Sequence, residues 1–173
     1  MKKRLSLSAA LMLTALLALP VPARADEVPS PVPDEPAGYT IVVGLQKQEL
    51  DLTALPRQPY LENEVLMVPL AKICQALGYQ VSWDPETGNI TVDDGYIQKA
   101  VLHHGTAEAY FTGHLKVIDL SREVDNAAPT NVIDGCTYVP LSFFLEFLND
   151  AALEGTTISI APSMAELDGQ PAV

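Results

Sequence analysis

Basic residues are scarce in this chain. Lys and Arg number 10 against 22 Asp and Glu, a formal net charge of −12. Such a surface repels nucleic-acid phosphates and anionic lipid, so neither is expected as a partner. Cysteine is scarcer still. Cys74 and Cys136 alone cannot build a multi-bridge framework, and they leave open one bridge or two thiols. Only three histidines are present, His103, His104 and His114, too few for a closed metal-ligand set without Cys at suitable spacing. No Gly-rich phosphate loop follows a strand, and no Ser sits in a nucleophile-elbow string. A long apolar run occurs once, at the N-terminus, so no stable membrane insertion is expected after its removal.

That run is organised. Lys2, Lys3 and Arg4 precede the apolar stretch Leu5–Leu19, Pro20 and Pro22 end it, and Ala23-Arg24-Ala25 has small residues where a signal peptidase needs them. Residues 1–25 are expected to be a cleaved signal peptide. Removing Lys2, Lys3, Arg4 and Arg24 leaves six basic residues against 22 acidic ones. The expected destination is extracellular, with or without association to the cell envelope. The segment 26–38 alternates Pro with acids and reads as an extended linker. The region 39–162 reads as one α+β domain, and 163–173 as a flexible tail.

Within that domain, Thr40–Val43 is β-branched and Gln46–Leu52 follows as its hairpin partner. Leu55–Glu64, with Pro56 and Pro59, reads as loop. Leu70, Ile73, Cys74 and Leu77 then mark one apolar face of a short helix, with Pro69 in its first turn and Gly78 at its left-handed end. Tyr79–Trp83, the turn Asp84–Asn89 and Ile90–Val92 read as a hairpin. The Val68-Pro69-Leu70 string returns 71 residues later as Val139-Pro140-Leu141. It leads into a second helix whose face reads Leu141, Phe144, Leu145 and Leu148, with Asn149 in the place of Gly78. A shorter hairpin over Ala152-Leu153 and Ile158–Ile160 completes the parallel. Two similar copies follow, about 39–95 and 96–162, each of antiparallel strands and hairpins with one short helix. Between the helices, Ile97–His103, Ala107–Phe111 and Leu115–Leu120 read as strands, with turns at Gly105 and Thr112-Gly113.

The strings Val68-Pro69-Leu70 through Gly78-Tyr79-Gln80-Val81-Ser82-Trp83-Asp84, and Gly135-Cys136-Thr137-Tyr138-Val139-Pro140-Leu141, resemble the copper amine oxidase N-terminal-like (stalk domain) family of secreted bacterial proteins. The resemblance covers roughly Tyr39 to Pro162. It implies an accessory, non-catalytic α+β module, because the family corresponds to the stalk of amine oxidases and not to the part that holds copper and quinone. Where the family has Arg after the Val-Pro-Leu string, this chain has Ala71 and Ser142. Where it has Arg between Gly and Thr, this chain has Cys136. The second copy lacks the Trp-Asp pair.

Other candidates have structural explanations beside functional ones. His103 and His104, adjacent on a strand, point to opposite faces and cannot both ligate one ion; His114 sits near a turn and could approach one of them. Asp84–Asn89 loosely resembles a calcium loop, but turn chemistry accounts for its residues. Asp93-Asp94 offers half of a carboxylate pair for glycan hydrolysis. Cys74, on the apolar helix face, reads as a buried, inert thiol. Tyr79, Trp83, Tyr96, Tyr110, Phe111 and Tyr138 fit core packing or a glycan-binding face. Phe143 and Phe147 either widen the buried stripe of helix two or expose a patch. No catalytic, cofactor-binding or metal residue is assigned. The expected function is a non-catalytic binding or spacer domain whose partner is a cell-wall component or another secreted protein. The rivals are a ligand or inhibitor of an extracellular protein, and a metal-dependent or glycan-acting enzyme.

Overall fold

The computed structural model describes residues 38–114, 119 and 121–163. The expected leader, the linker as far as residue 37, the tail from 164 and most of the strand expected over Leu115–Leu120 lie outside the described residues. In order, the chain forms β1 (Thr40–Val43), β2 (Gln48–Glu49), β3 (Tyr60–Glu62), β4 (Val65–Pro69), α1 (Leu70–Leu77), β5 (Gln80–Trp83), β6 (Asn89–Asp93), β7 (Gln98–His103) and β8 (Glu108–Gly113). It continues with β9 (Arg122–Asp125), β10 (Asn131–Ile133), β11 (Cys136–Pro140), α2 (Ser142–Glu146), β12 (Asn149–Glu154) and β13 (Thr157–Pro162). The architecture is α+β: three sheets and two short helices among the described residues.

The largest sheet, β5-β6-β7-β8-β9, is antiparallel throughout. Its alternation is plain: Ile90, Leu102 and Ala109 stand in one cross-strand row, and Val92, Ala100 and Phe111 in another, all buried. Thr91, Val101 and Tyr110 between them face outward, as a period of two requires. A second sheet runs β12-β13-β1-β2, in which β1 pairs with β13 in parallel and places Ile41 opposite Ile158 and Val43 opposite Ile160. That pairing closes the domain by joining its first strand to its last.

The third sheet runs β10-β11-β4-β3. It consists of two hairpins whose residue ranges are offset by 71: Tyr60–Glu62 with Val65–Pro69, and Asn131–Ile133 with Cys136–Pro140. Both loops have two residues with positive φ, Asn63 (49°) and Glu64 (69°) in one, Asp134 (46°) and Gly135 (80°) in the other. This is the pattern of a type I′ turn, whose twist matches that of the flanking strands. The β3 hairpin corrects the expectation of a loop over Leu55–Glu64. Pro56 and Pro59 precede the strand and do not interrupt it.

Helix α1 follows the expectation closely. Leu70, Ile73 and Cys74 are buried. Gly78, at φ 80°, ends the helix, with its N–H on the Gln75 carbonyl and the Tyr79 N–H on that of Cys74, the paired bonds of a Schellman motif. Helix α2 departs from it. It spans five residues and buries Phe143, Phe144 and Phe147, while Leu145 is 52% exposed and Leu148 40%. Three rings win over two leucines because they bury more area and pack on one another: Phe143 stacks on Phe147 at 5.7 Å and meets Phe144 edge-on at 5.5 Å. The left-handed residue after α2 is Leu148 (φ 55°), not Asn149, which already begins β12. Other boundaries shift as well. Thr112-Gly113 ends β8 and is not a turn, β2 has only two residues, and β9 was not anticipated.

The main core gathers these apolar rows with α1 and the phenylalanines of α2. A smaller cluster of Met67, Ala128 and Tyr138 sits apart from it. The Tyr138 hydroxyl binds both the N–H and the carbonyl of Arg57, which fixes the strand-free segment before β3.

Candidate functional site

Asp93, Asp94 and His114 bring one ligand-type atom each within 4.8 Å of one another. They meet because β6 and β8 flank β7 and end at the same side of the sheet. Asp94, 9% exposed, accepts the N–H groups of Tyr96, Ile97 and Gln98 on Oδ1 at 2.8, 2.8 and 3.1 Å. Its other oxygen lies 3.2 Å from the Gln98 N–H. Asp93 Oδ1 accepts the Gly95 N–H at 2.7 Å and lies 2.7 Å from His114 Nε2. Burial pushes the Asp93 carboxyl up, but the Gly95 N–H, the His114 contact and charge, and the Lys99 charge together hold it below the ordinary value. Oδ1 of each aspartate is thus committed, to backbone N–H groups and, for Asp93, to His114 as well. This corner turns the chain from β6 into β7 and latches the end of β8. Asp93 and Asp94 do not form a hydrolytic pair, since Asp94 is bound up in the turn.

The histidines are not brought together in the way the sequence suggested. His103 ends β7 and is exposed. His104 Nδ1 accepts the Val132 N–H at 3.2 Å and ties the large sheet to β10. His114 goes to Asp93. In the 84–89 turn, Asp84 accepts the Glu86 N–H at 2.9 Å and the Thr87 hydroxyl at 2.7 Å, and these bonds lower its carboxyl pKa.

Both cysteines are free. Cys74 is in the main core, where burial pushes its thiol up to about 12, so it carries no thiolate at neutral pH. Cys136 packs half-buried against the Met67–Tyr138 cluster. Among the positions where the family has Arg, Ala71 is exposed and Ser142 half-buried.

The aromatic residues divide. Phe111 and Tyr138 are buried, and Tyr79 donates its hydroxyl to Asn149 Oδ1 at 2.9 Å. Trp83, Tyr96 and Tyr110 are exposed. Trp83 is on edge strand β5 in the row of Ile90, Tyr110 is on the opposite face of the same sheet, and Tyr96 is in the β6–β7 turn. They do not form one aromatic platform.

A polar groove was missed by sequence reasoning. One hollow of about 450 Å³ is lined by Tyr39, Thr40, Gln58 and the run Glu49–Thr53. A second of about 360 Å³ is lined by Gln48, Lys72, Gln75 and Ala76 and shares Leu50 and Asp51 with the first. The shared residue Asp51 accepts the Thr53 N–H at 2.9 Å and the Thr53 hydroxyl at 2.6 Å, both on Oδ1. Those two bonds lower its pKa. The Gln58 amide donates to the Leu52 carbonyl at 2.9 Å. The only sequence signal was Asp51-x-Thr53 after a short strand, a spacing that marks a local turn as readily as a site.

A family model described as the copper amine oxidase N-terminal domain matches residues 45–152. That family is a non-catalytic domain. No curated protein and no solved structure matches the chain.

Proposed function

The chain belongs to the copper amine oxidase N-terminal domain family, and from that premise we propose that it is an exported, non-catalytic binding or spacer module. The observation that carries this reading is the match over 108 of the 173 residues to a domain without chemistry of its own. The spending of Asp93, Asp94, Asp84 and Cys74 on turns and core supports it. Export follows from Lys2–Arg4, the apolar run and Ala23-Arg24-Ala25, with the secreted form starting at Asp26. Mass spectrometry of the secreted protein tests this, and a form that retains Leu5–Leu19 would mean an anchored protein.

We also propose that the domain arose by duplication of a unit of about 70 residues. The two hairpins of the β10-β11-β4-β3 sheet support it, each with a positive-φ pair at its loop and an offset of 71 residues between them. The partner is a cell-wall component or another secreted protein. Pull-down of the secreted form against wall and secreted fractions tests it, together with a screen for amine oxidation and glycan cleavage. Reproducible turnover lost on changing one residue would refute the non-catalytic reading. A role as ligand of a basic extracellular protein is favoured by the six basic against 22 acidic residues of the form starting at Asp26, and association that weakens with salt would select it.

A further inference from the structure

We propose that the groove along β2 binds an oligosaccharide. This inference rests on the reading of the chain as a binding module and names the ligand class. Each of its two hollows, about 450 and 360 Å³, lies within the range of about 300–1,000 Å³ usual for small-ligand sites. They share Leu50 and Asp51 as lining residues, so a ligand that reaches both is extended and not compact.

The chemistry of the walls selects the ligand. Thr53 occupies Oδ1 of Asp51 and fixes the carboxylate, which leaves Oδ2 without a protein partner. The Gln58 NH₂ group gives one of its two N–H donors to the Leu52 carbonyl, which leaves its Oε1 as an acceptor and one N–H as a donor. Glu49 adds a further carboxylate. The groove is therefore rich in fixed acceptors and asks for a ligand with many donors. Ammonium-rich chains supply donors, but the Lys72 charge in the second hollow repels them. Vicinal hydroxyls supply donors without net charge, and each hydroxyl can also accept from Lys72 or Gln75. Tyr39, half-buried against the main core, also lines the first hollow and adds aromatic surface there for the C–H face of a sugar ring.

The test titrates the secreted form with hexamers of N-acetylglucosamine and of glucose, and with a peptide of alternating Lys and Thr, while amide NMR signals are followed. Saturable shifts confined to Tyr39, Glu49–Thr53 and the Lys72–Ala76 face, with at least one hexasaccharide, are expected. Asp51→Ala should weaken that binding about tenfold or more, because a hydrogen bond to a charged acceptor is lost. Gln75→Ala, on the exposed side of α1, should weaken it while leaving the fold unchanged, and Glu123→Ala, remote on β9, should bind like the parent. Absence of saturation with both sugars, shifts unaltered in Asp51→Ala and Gln75→Ala, or occupation of the groove by the peptide alone would each overturn the proposal. Any of these outcomes leaves the non-catalytic reading standing, because the turnover screen tests it separately.

Discussion

Val68 and Val139 lie directly opposite one another in the antiparallel pair of β4 and β11, with Met67 opposite Pro140 and Pro69 opposite Tyr138. Residues of one Val-Pro string therefore meet residues of the other about a local two-fold axis. Val68 and Val139 are both fully buried in the main core. This symmetric register is the contact expected if the proposed duplication is right.

The two equivalent turns differ in one informative residue. Glu64 holds φ 69° where the other hairpin has Gly135 at φ 80°. An L-residue in the left-handed region costs about 1–2 kcal/mol, and Asn-Gly is the preferred type I′ pair. Glu64→Gly should therefore raise stability, by up to about 1 kcal/mol after the added flexibility of the unfolded chain is counted. Gly135→Ala should lower it by about 1–2 kcal/mol. Thermal melts of both variants check the pair, and a destabilised Glu64→Gly would mean that the Glu64 side chain makes a contact that offsets the strain.

Phe143 is fully buried and its ring meets those of Phe111, Phe144 and Phe147. Phe143→Ala should cost about 3–5 kcal/mol in urea unfolding, through lost burial and the cavity left behind. Leu145→Ala, at an exposed position of the same helix, should cost less than about 0.5 kcal/mol. Equal costs would mean that the leucine face, and not the phenylalanine face, packs on the core.

Where the sequence was legible, one local rule decided the structure. Pro69, the Leu70–Ile73–Cys74 spacing and Gly78 all specify α1, and nothing in the tertiary structure competes. The second helix was misread because Leu145 and Phe143 both fit a helical face, and only packing against Phe111 selects between them. β3 was missed because the signals before it, Pro56 and Pro59, are those of a loop, and its turn carries Glu64 in place of glycine. The groove was not legible at all. Tyr39, Asp51, Gln58 and Lys72 are distant in sequence, and none is unusual by itself. They converge through the pairing of β1 with β2 and the placement of α1.

The thiols should react unequally. Cys74 has its pKa pushed up to about 12 by burial, whereas Cys136 is half-buried. A thiol reagent at neutral pH should label Cys136 alone in the folded protein and both after unfolding. Cys74 also links stability to alkali. Its folded pKa lies above the unfolded value of about 8.5, so its contribution is complete below that pH and declines as pH rises toward the folded value. The contributions of Tyr79 and Tyr138, also raised by burial, decline with alkali too, so Cys74→Ser should lessen the alkaline decline without abolishing it, while lowering stability at neutral pH. Labelling of Cys74 in the folded protein at the rate of Cys136 would place it outside the core.

Asp93 links the fold to acid. Its carboxyl is held below the ordinary value because the Gly95 N–H, His114 and Lys99 outweigh the opposing effect of burial. A depressed folded pKa means that the unfolded chain takes up the proton first. The stabilisation is therefore present above the unfolded value of about 3.9 and is lost as pH falls through the folded one. Asp93→Asn should unfold at lower urea than the parent at neutral pH, and the two midpoints should converge as pH falls through the folded value. Asp51, Asp84 and Asp119 are lowered by similar local hydrogen bonds. Both proteins should thus lose stability over the same acid range, and the informative quantity is the gap between them. A gap that stays constant from neutral pH through the acid range would show that Asp93 acts through the shape of the turn and not through its charge beside His114.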